Sequence, residues 1–106
     1  MSTDVDLLAE ARALRPLIEQ EAEPTDETLT MTRPVVDAFE QSGLFHMMVP
    51  KDLGGAEADC STILHVFEEL SHQDGSIGWS QMANASATAY CAFLSPERQH
   101  CARLPR

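Results

Sequence analysis

From Gly75 to Pro96 the chain carries no charged residue, and this run restricts the possible folds more than any other feature. On charge alone it is a candidate membrane span. Yet Ser80, Gln81, Asn84, Ser86 and Thr88 lie inside it, and polar side chains without partners are costly in lipid. The run therefore reads as a helix buried against other helices. Its polar groups then need hydrogen-bond partners of their own.

The rest of the chain supplies apolar faces at helical spacing. Leu7, Ala11, Leu14, Ile18 and Ala22 recur at three- and four-residue steps and predict a helix from Asp4 to Ala22. Pro16 inside it should kink or split it. The acidic stretch Glu21–Glu27, with Pro24, reads as a solvated linker. A second helix should start near Pro34, bury Val35, Val36, Ala38 and Phe39, and end at Gly43, a residue suited to the left-handed cap. Leu44 would then pack back on Phe39. Leu44–Pro50 reads as an extended, apolar segment against the core, followed by a loop through Gly54 and Gly55. That glycine pair is not followed by the Gly-Lys-Ser/Thr of a phosphate-cradling loop.

A third helix is expected from Ser61 to His72, capped by Asp59 or Ser61, with Ile63, Val66, Phe67 and Leu70 as its apolar stripe. Gln73-Asp74-Gly75 turns the chain. Ser76 is the expected cap of a fourth helix reaching Leu94, in which Ala83, Ala85, Ala87 and Ala89 let neighbouring backbones approach or leave room for a ligand. Ser95-Pro96 opens a short last helix. The fold class is all-α, with four to five helices.

Composition narrows the function. A chain of 106 residues and 11.7 kDa has one domain's length, too short for a nucleotide-binding domain plus a substrate domain. A net charge of -10 repels phosphate backbones and anionic lipid, so neither nucleic acid nor a membrane is an expected partner. The three cysteines, Cys60, Cys91 and Cys101, form no C-x-x-C. They read as reduced, buried thiols of a cytoplasmic protein. The N-terminus has neither a basic region nor a long apolar run, so no signal peptide is expected.

Two Glu-x-x-His pairs, Glu69/His72 and Glu97/His100, match the spacing of di-iron carboxylate bundles. Metal ligands in such bundles point inward, whereas Glu69 and His72 lie opposite the third helix's apolar stripe, beside His65 and Glu68. A solvated face with weak pairing between His65 and Glu69 is the better reading. No nucleophile has a base and an orienting group that the sequence can show. Trp79, the one tryptophan, reads as a core anchor or as the wall of a cofactor or substrate cavity.

Several segments together resemble a known family. Gly43-Leu44-Phe45, then Val49-Pro50-Lys51-Asp52-Leu53-Gly54-Gly55, then Glu68-Glu69-Leu70-Ser71 look like the N-terminal helical domain of acyl-CoA dehydrogenases. Asp74-Gly75-Ser76-Ile77-Gly78-Trp79 resembles the branch of flavin-dependent monooxygenases built on the same fold. The likeness runs from Leu7 to Glu97.

It implies an oxidoreductase whose full-length form adds a middle β-domain and a C-terminal helical bundle. FAD, or reduced FMN, would lie mainly between those two parts, and acyl-CoA or an aromatic compound would be the substrate. Residues 1–106 resemble the first domain alone, so no catalytic, cofactor-binding or metal residue carries over, and the chain by itself is expected to bind no flavin and to be inactive. Trp79, Met82, Asn84 and Ser86 are the expected wall of the substrate cavity. The phenol-hydroxylating members place a histidine on this helix; here it reads Asn84-Ala85-Ser86-Ala87-Thr88. The tail from Arg98 departs from the family pattern, as a truncated or frame-shifted gene would. Exposed apolar surface should pair with the other domains or drive self-association. The alternative is a non-enzymatic helical module that pairs with a separately encoded partner.

Overall fold

The computed structural model describes residues 3–95 and 97–98, with side chains at residues 7–90, 92–95, 97 and 98. Among them there are helices and turns and no strand. The α-helices are α1 (Thr3–Ala13), α2 (Arg15–Gln20), α3 (Ala22–Thr28), α4 (Arg33–Ser42), α5 (Cys60–Gln73) and α6 (Gly75–Ala89). Short 3-10 turns occupy Leu44–His46, Lys51–Leu53 and Tyr90–Phe93. Among the described residues no helix is long and apolar enough to cross a membrane. Most of the expected last helix, with His100, Cys101 and the rest of the tail, lies outside the described residues.

The N-terminal stripe folds as expected but in pieces. Leu7, Ala11 and Ile18 are buried, and Leu14 and Leu17 pack against the same core. The chain breaks at Leu14, two residues before Pro16, which takes the second position of α2. A proline ring clashes with the carbonyl four residues earlier and has no N–H to donate, so it fits a first turn and disrupts an interior. The same reasoning corrects the expected linker. Glu21–Glu27 is largely helical, because a second break at Glu21 puts Pro24 in the first turn of α3. Leu29 closes α3 in the left-handed conformation, with φ 61°.

The boundaries of α4 follow the sequence closely. Pro34 sits in its first turn, and Gly43 (φ 83°) donates its N–H to the carbonyls of Phe39 and Glu40. Leu44 and Phe39 are both buried. Phe39 and Phe45 meet edge to face with ring centroids 5.2 Å apart.

The segment after Gly43 is buried, as expected, but not extended. Leu44–His46 is a 3-10 turn, and residues 46–58 close into a compact loop. Ala56 N donates to His46 O at 3.1 Å, Glu57 N to Val49 O at 3.0 Å and Ala58 N to Met47 O at 2.8 Å. Gly55 lies so close to Val49 that an added Cβ would sit 2.6 Å from the Val49 carbonyl carbon. These loop hydrogen bonds satisfy backbone groups that would otherwise be buried without partners.

Helices α5 and α6 form the structural base, joined by Asp74 alone. Asp59 caps α5 by accepting from Thr62 N at 2.8 Å. Val66 and Leu70 are fully buried, with Ile63 and Phe67 packed alongside. The cap of α6 is Asp74 rather than Ser76. Its carboxylate accepts from Ser76 N at 3.0 Å, Ser76 Oγ at 2.7 Å and Ile77 N at 3.3 Å. Close approach of the two helices comes from Gly78, where an added Cβ would lie 2.7 Å from Ser71 Cα. The alanines contribute little to it: Ala85 is buried, but Ala83 and Ala87 are exposed. Helix α1 packs against α5, tied by Gln73 Nε2, which donates to Ala11 O at 3.0 Å and to Glu69 Oε1 at 3.0 Å.

Candidate functional site

Helix α6 presents different faces to different surroundings. At about 100° per residue, Ile77, Gln81 and Ala85 fall together and are buried. Gln81 is fully buried. Its Nε2 donates to Leu44 O at 2.7 Å, which ties α6 to the turn after α4, while its Oε1 has no partner. A neighbouring face carries Ser80, Asn84 and Thr88 at four-residue spacing.

That second face lines an open cavity of about 440 Å³. Val36 and Glu40 line it from α4, and Phe45 and His46 from the 3-10 turn. Leu29, Thr30 and Met31, between α3 and α4, form its rim. The left-handed cap at Leu29 turns the chain here and leaves that side chain 90% exposed.

The polar atoms of the α6 face are already directed. Asn84 Nδ2 donates to Ser80 O at 2.8 Å, and Thr88 Oγ1 donates to Asn84 O at 2.7 Å. Thr88 thus has no hydrogen left to donate to a ligand, and Asn84 has one of its two amide hydrogens left. Both keep acceptor oxygens. Glu40 adds a carboxylate. Burial pushes the His46 imidazole below its ordinary pKa of 6.5, and Glu40 opposes that shift by coulombic attraction. The described lining therefore holds more acceptors than donors, and Glu40 is its one carboxylate.

Of the four residues expected to form a cavity wall, only Asn84 lines this cavity. Trp79, Met82 and Ser86 lie together on another side of α6. Trp79 is 69% exposed, which corrects its reading as a core anchor. The core side of α6 is set by Gly78 and Gln81, and Trp79 lies about a quarter turn beyond Gly78. Tyr90 and Phe93, which follow in the 3-10 turn, are exposed too, with ring centroids 6.3 Å apart. Cys60 is exposed at the start of α5 rather than buried. No group of His, Cys, Asp and Glu among the described residues could hold a metal ion. Glu69 accepts from Gln73, while His65 Nδ1 lies 3.4 Å from Ser61 Oγ.

Sequence reasoning missed most of the cavity. Glu40 and His46 carried no motif, and their approach to α6 depends on the tight turn at Gly43. The spacing of Ser80, Asn84 and Thr88 was the available signal: one polar stripe in an otherwise apolar helix.

Comparison with known proteins agrees with the helical architecture. Residues 6–105 match the family model for the acyl-CoA dehydrogenase N-terminal domain. An indole-3-acetate monooxygenase of Pseudomonas putida is 39% identical over 54 residues, covering 51% of this chain and 14% of that protein. A 3-(aryl)acrylate reductase of Clostridium sporogenes is 35% identical over 68 residues, covering 60% of this chain and 18% of that protein. The chain thus matches less than a fifth of the length of either relative. No solved structure matches it. With nearly the whole chain inside the family match and an all-helical fold of the corresponding kind, the chain belongs to the acyl-CoA dehydrogenase family, as its N-terminal domain.

Proposed function

We propose that this chain is the N-terminal helical domain of a flavin-dependent oxidoreductase, and that its cavity closes one side of the substrate site. The reaction of the whole enzyme would be dehydrogenation of an acyl CH–CH bond or a related flavin-dependent oxygenation. The observation that carries the reading is the cavity itself: apolar on the side of Val36 and Phe45, polar on the side of Ser80 and Asn84, and open on one side. A half-formed site of this kind suits a wall completed by other domains. The exposed rings of Tyr90 and Phe93, with centroids 6.3 Å apart, support the same view, since exposed apolar residues mark contact surfaces when they cluster.

The family implies a flavin in the full-length enzyme, and flavin supplies the redox chemistry there. The residues lining this cavity do not suit its phosphates. Phosphate calls for cations or converging N–H donors, whereas this lining holds the Glu40 carboxylate, no Lys or Arg, and only scattered donors at Thr30, His46, Ser80 and Asn84. The flavin therefore belongs elsewhere in the enzyme, and the chain alone is inactive. Its own part is to bind and orient one end of a substrate and to exclude water from it. The names of the two relatives point to an aryl-bearing acid as the substrate class.

The test exchanges the matching segment of the P. putida monooxygenase for this chain. Flavin content should survive the exchange, and Asn84→Phe, which fills the cavity, should raise KM for the aryl acid at least about tenfold. Loss of flavin from a folded exchange protein would mean that these helices hold the cofactor. An unchanged KM would remove the cavity from the substrate site.

A further inference from the structure

We infer that Glu40 is a specificity-determining residue of the cavity: it accepts a hydrogen bond from an uncharged aryl N–H or O–H group, and the cavity rejects an anion at that end. This rests on the cavity being the substrate site. Glu40 is exposed on α4 one turn after Val36, and both line the cavity. Opposite, Asn84 and Thr88 have turned donor hydrogens onto the carbonyls of their own helix, which leaves Thr88 as an acceptor and Asn84 with an acceptor oxygen and one amide hydrogen. No Lys or Arg lies among the described lining residues. His46, kept below its ordinary pKa by burial, supplies no fixed positive charge at neutral pH. Phe45, Met31 and Val36 provide the surface against which a flat ring packs.

A carboxylate placed here would face Glu40 at short range without a compensating cation. A ring N–H would find a charged acceptor, the stronger class of hydrogen bond. An aryl acid therefore enters ring first, with its acid end directed out of the open side toward the rest of the enzyme.

The full 106-residue chain can be titrated, labelled with 15N, against indole, 1-methylindole and benzoate. Indole should shift the amides of Ser80, Asn84 and Thr88 and bind roughly tenfold more tightly than 1-methylindole, as expected for a hydrogen bond to a charged group. Benzoate should bind more weakly than either. Glu40→Ala should remove the preference for indole, and Asp37→Ala, which alters charge on the same helix, should preserve it. Equal binding of the two indoles with responding cavity amides, or tighter binding of benzoate, overturns the role of Glu40 and leaves the cavity as a substrate site. No response of these amides to any probe overturns the cavity reading and the proposal with it.

Discussion

Replacing Gly78 by alanine sets two effects of opposite sign against each other. In a helix interior alanine is favoured over glycine by roughly 1 kcal/mol, so propensity alone predicts a more stable protein. The packing predicts the reverse. The new methyl would lie 2.7 Å from Ser71 Cα and 2.9 Å from Ser71 Cβ, well inside the ~3.5–4.0 Å optimum for carbon pairs. Ser71 Oγ could rotate away, but Ser71 Cα is backbone, so α5 and α6 must part by several tenths of an ångström or more. Overpacking of this kind costs about 1–3 kcal/mol, and here it falls between helices that share the core residues Val66, Leu70, Ile77 and Ala85. Because the clash is with backbone, the upper part of that range, about 2–3 kcal/mol, applies; less the propensity gain, the expected net loss is about 1–2 kcal/mol, a fall in Tm of roughly 4–16 °C for a chain of this size. Gly75→Ala is the matched control. Nothing lies within 4 Å of its added Cβ, so Tm should hold or rise. Thermal unfolding followed by circular dichroism decides it. A Gly78→Ala protein as stable as the parent would refute the claim that the backbones touch at this point.

The remaining predictions concern single groups. Asp74→Ala removes the acceptor of three hydrogen bonds at the start of α6 and should cost about 1–2 kcal/mol in urea unfolding; a loss below a few tenths would show that the cap is dispensable. Gln81→Met gives up the bond to Leu44 O but removes the orphaned Oε1. The two effects oppose, at about 1 kcal/mol for the bond and about 1–3 kcal/mol for the unpaired oxygen, so stability should hold or rise; a large loss would mean that Oε1 has a partner. His46 titrates below 6.5 in the folded chain, so between the two pKa values the unfolded chain binds more protons, and stability falls as pH drops through this window. Because Glu40 raises the His46 pKa, Glu40→Gln should move the NMR midpoint of His46 further down; an upward move would contradict the stated cause.

Much of the architecture was legible from spacing and punctuation. The stripes of α1, α4 and α5 follow from apolar repeats, and Gly43 marks an end that only a left-handed residue satisfies. What escaped depended on distance in three dimensions. The helical character of residues 22–28 could not be seen, because proline disfavours a helix interior but not a first turn, and the break at Glu21 decides which applies. Of the two readings of Trp79, the core anchor fails because the face of α6 that packs is selected by the small Gly78. Little of the cavity was legible. Asn84 was among its expected residues, but Glu40 and His46 reach it through the turn at Gly43, and no local pattern records that path.

The one-residue link at Asp74 also bears on the order of folding. A connection this short makes closure of the α5–α6 hairpin inexpensive in chain entropy, so most of its contacts are local and can form early. Helix α1 meets α5 across a long separation, 62 residues in the bond from Gln73 to Ala11. Its docking is the slow, late event. Mutations between α5 and α6 should therefore slow folding, and mutations at Leu7 or Ala11 should mainly speed unfolding; stopped-flow kinetics with the reverse pattern would contradict this order. On a ribosome α1 emerges before the α5 helix it packs on, so its apolar stripe stays uncovered on that side until α5 follows.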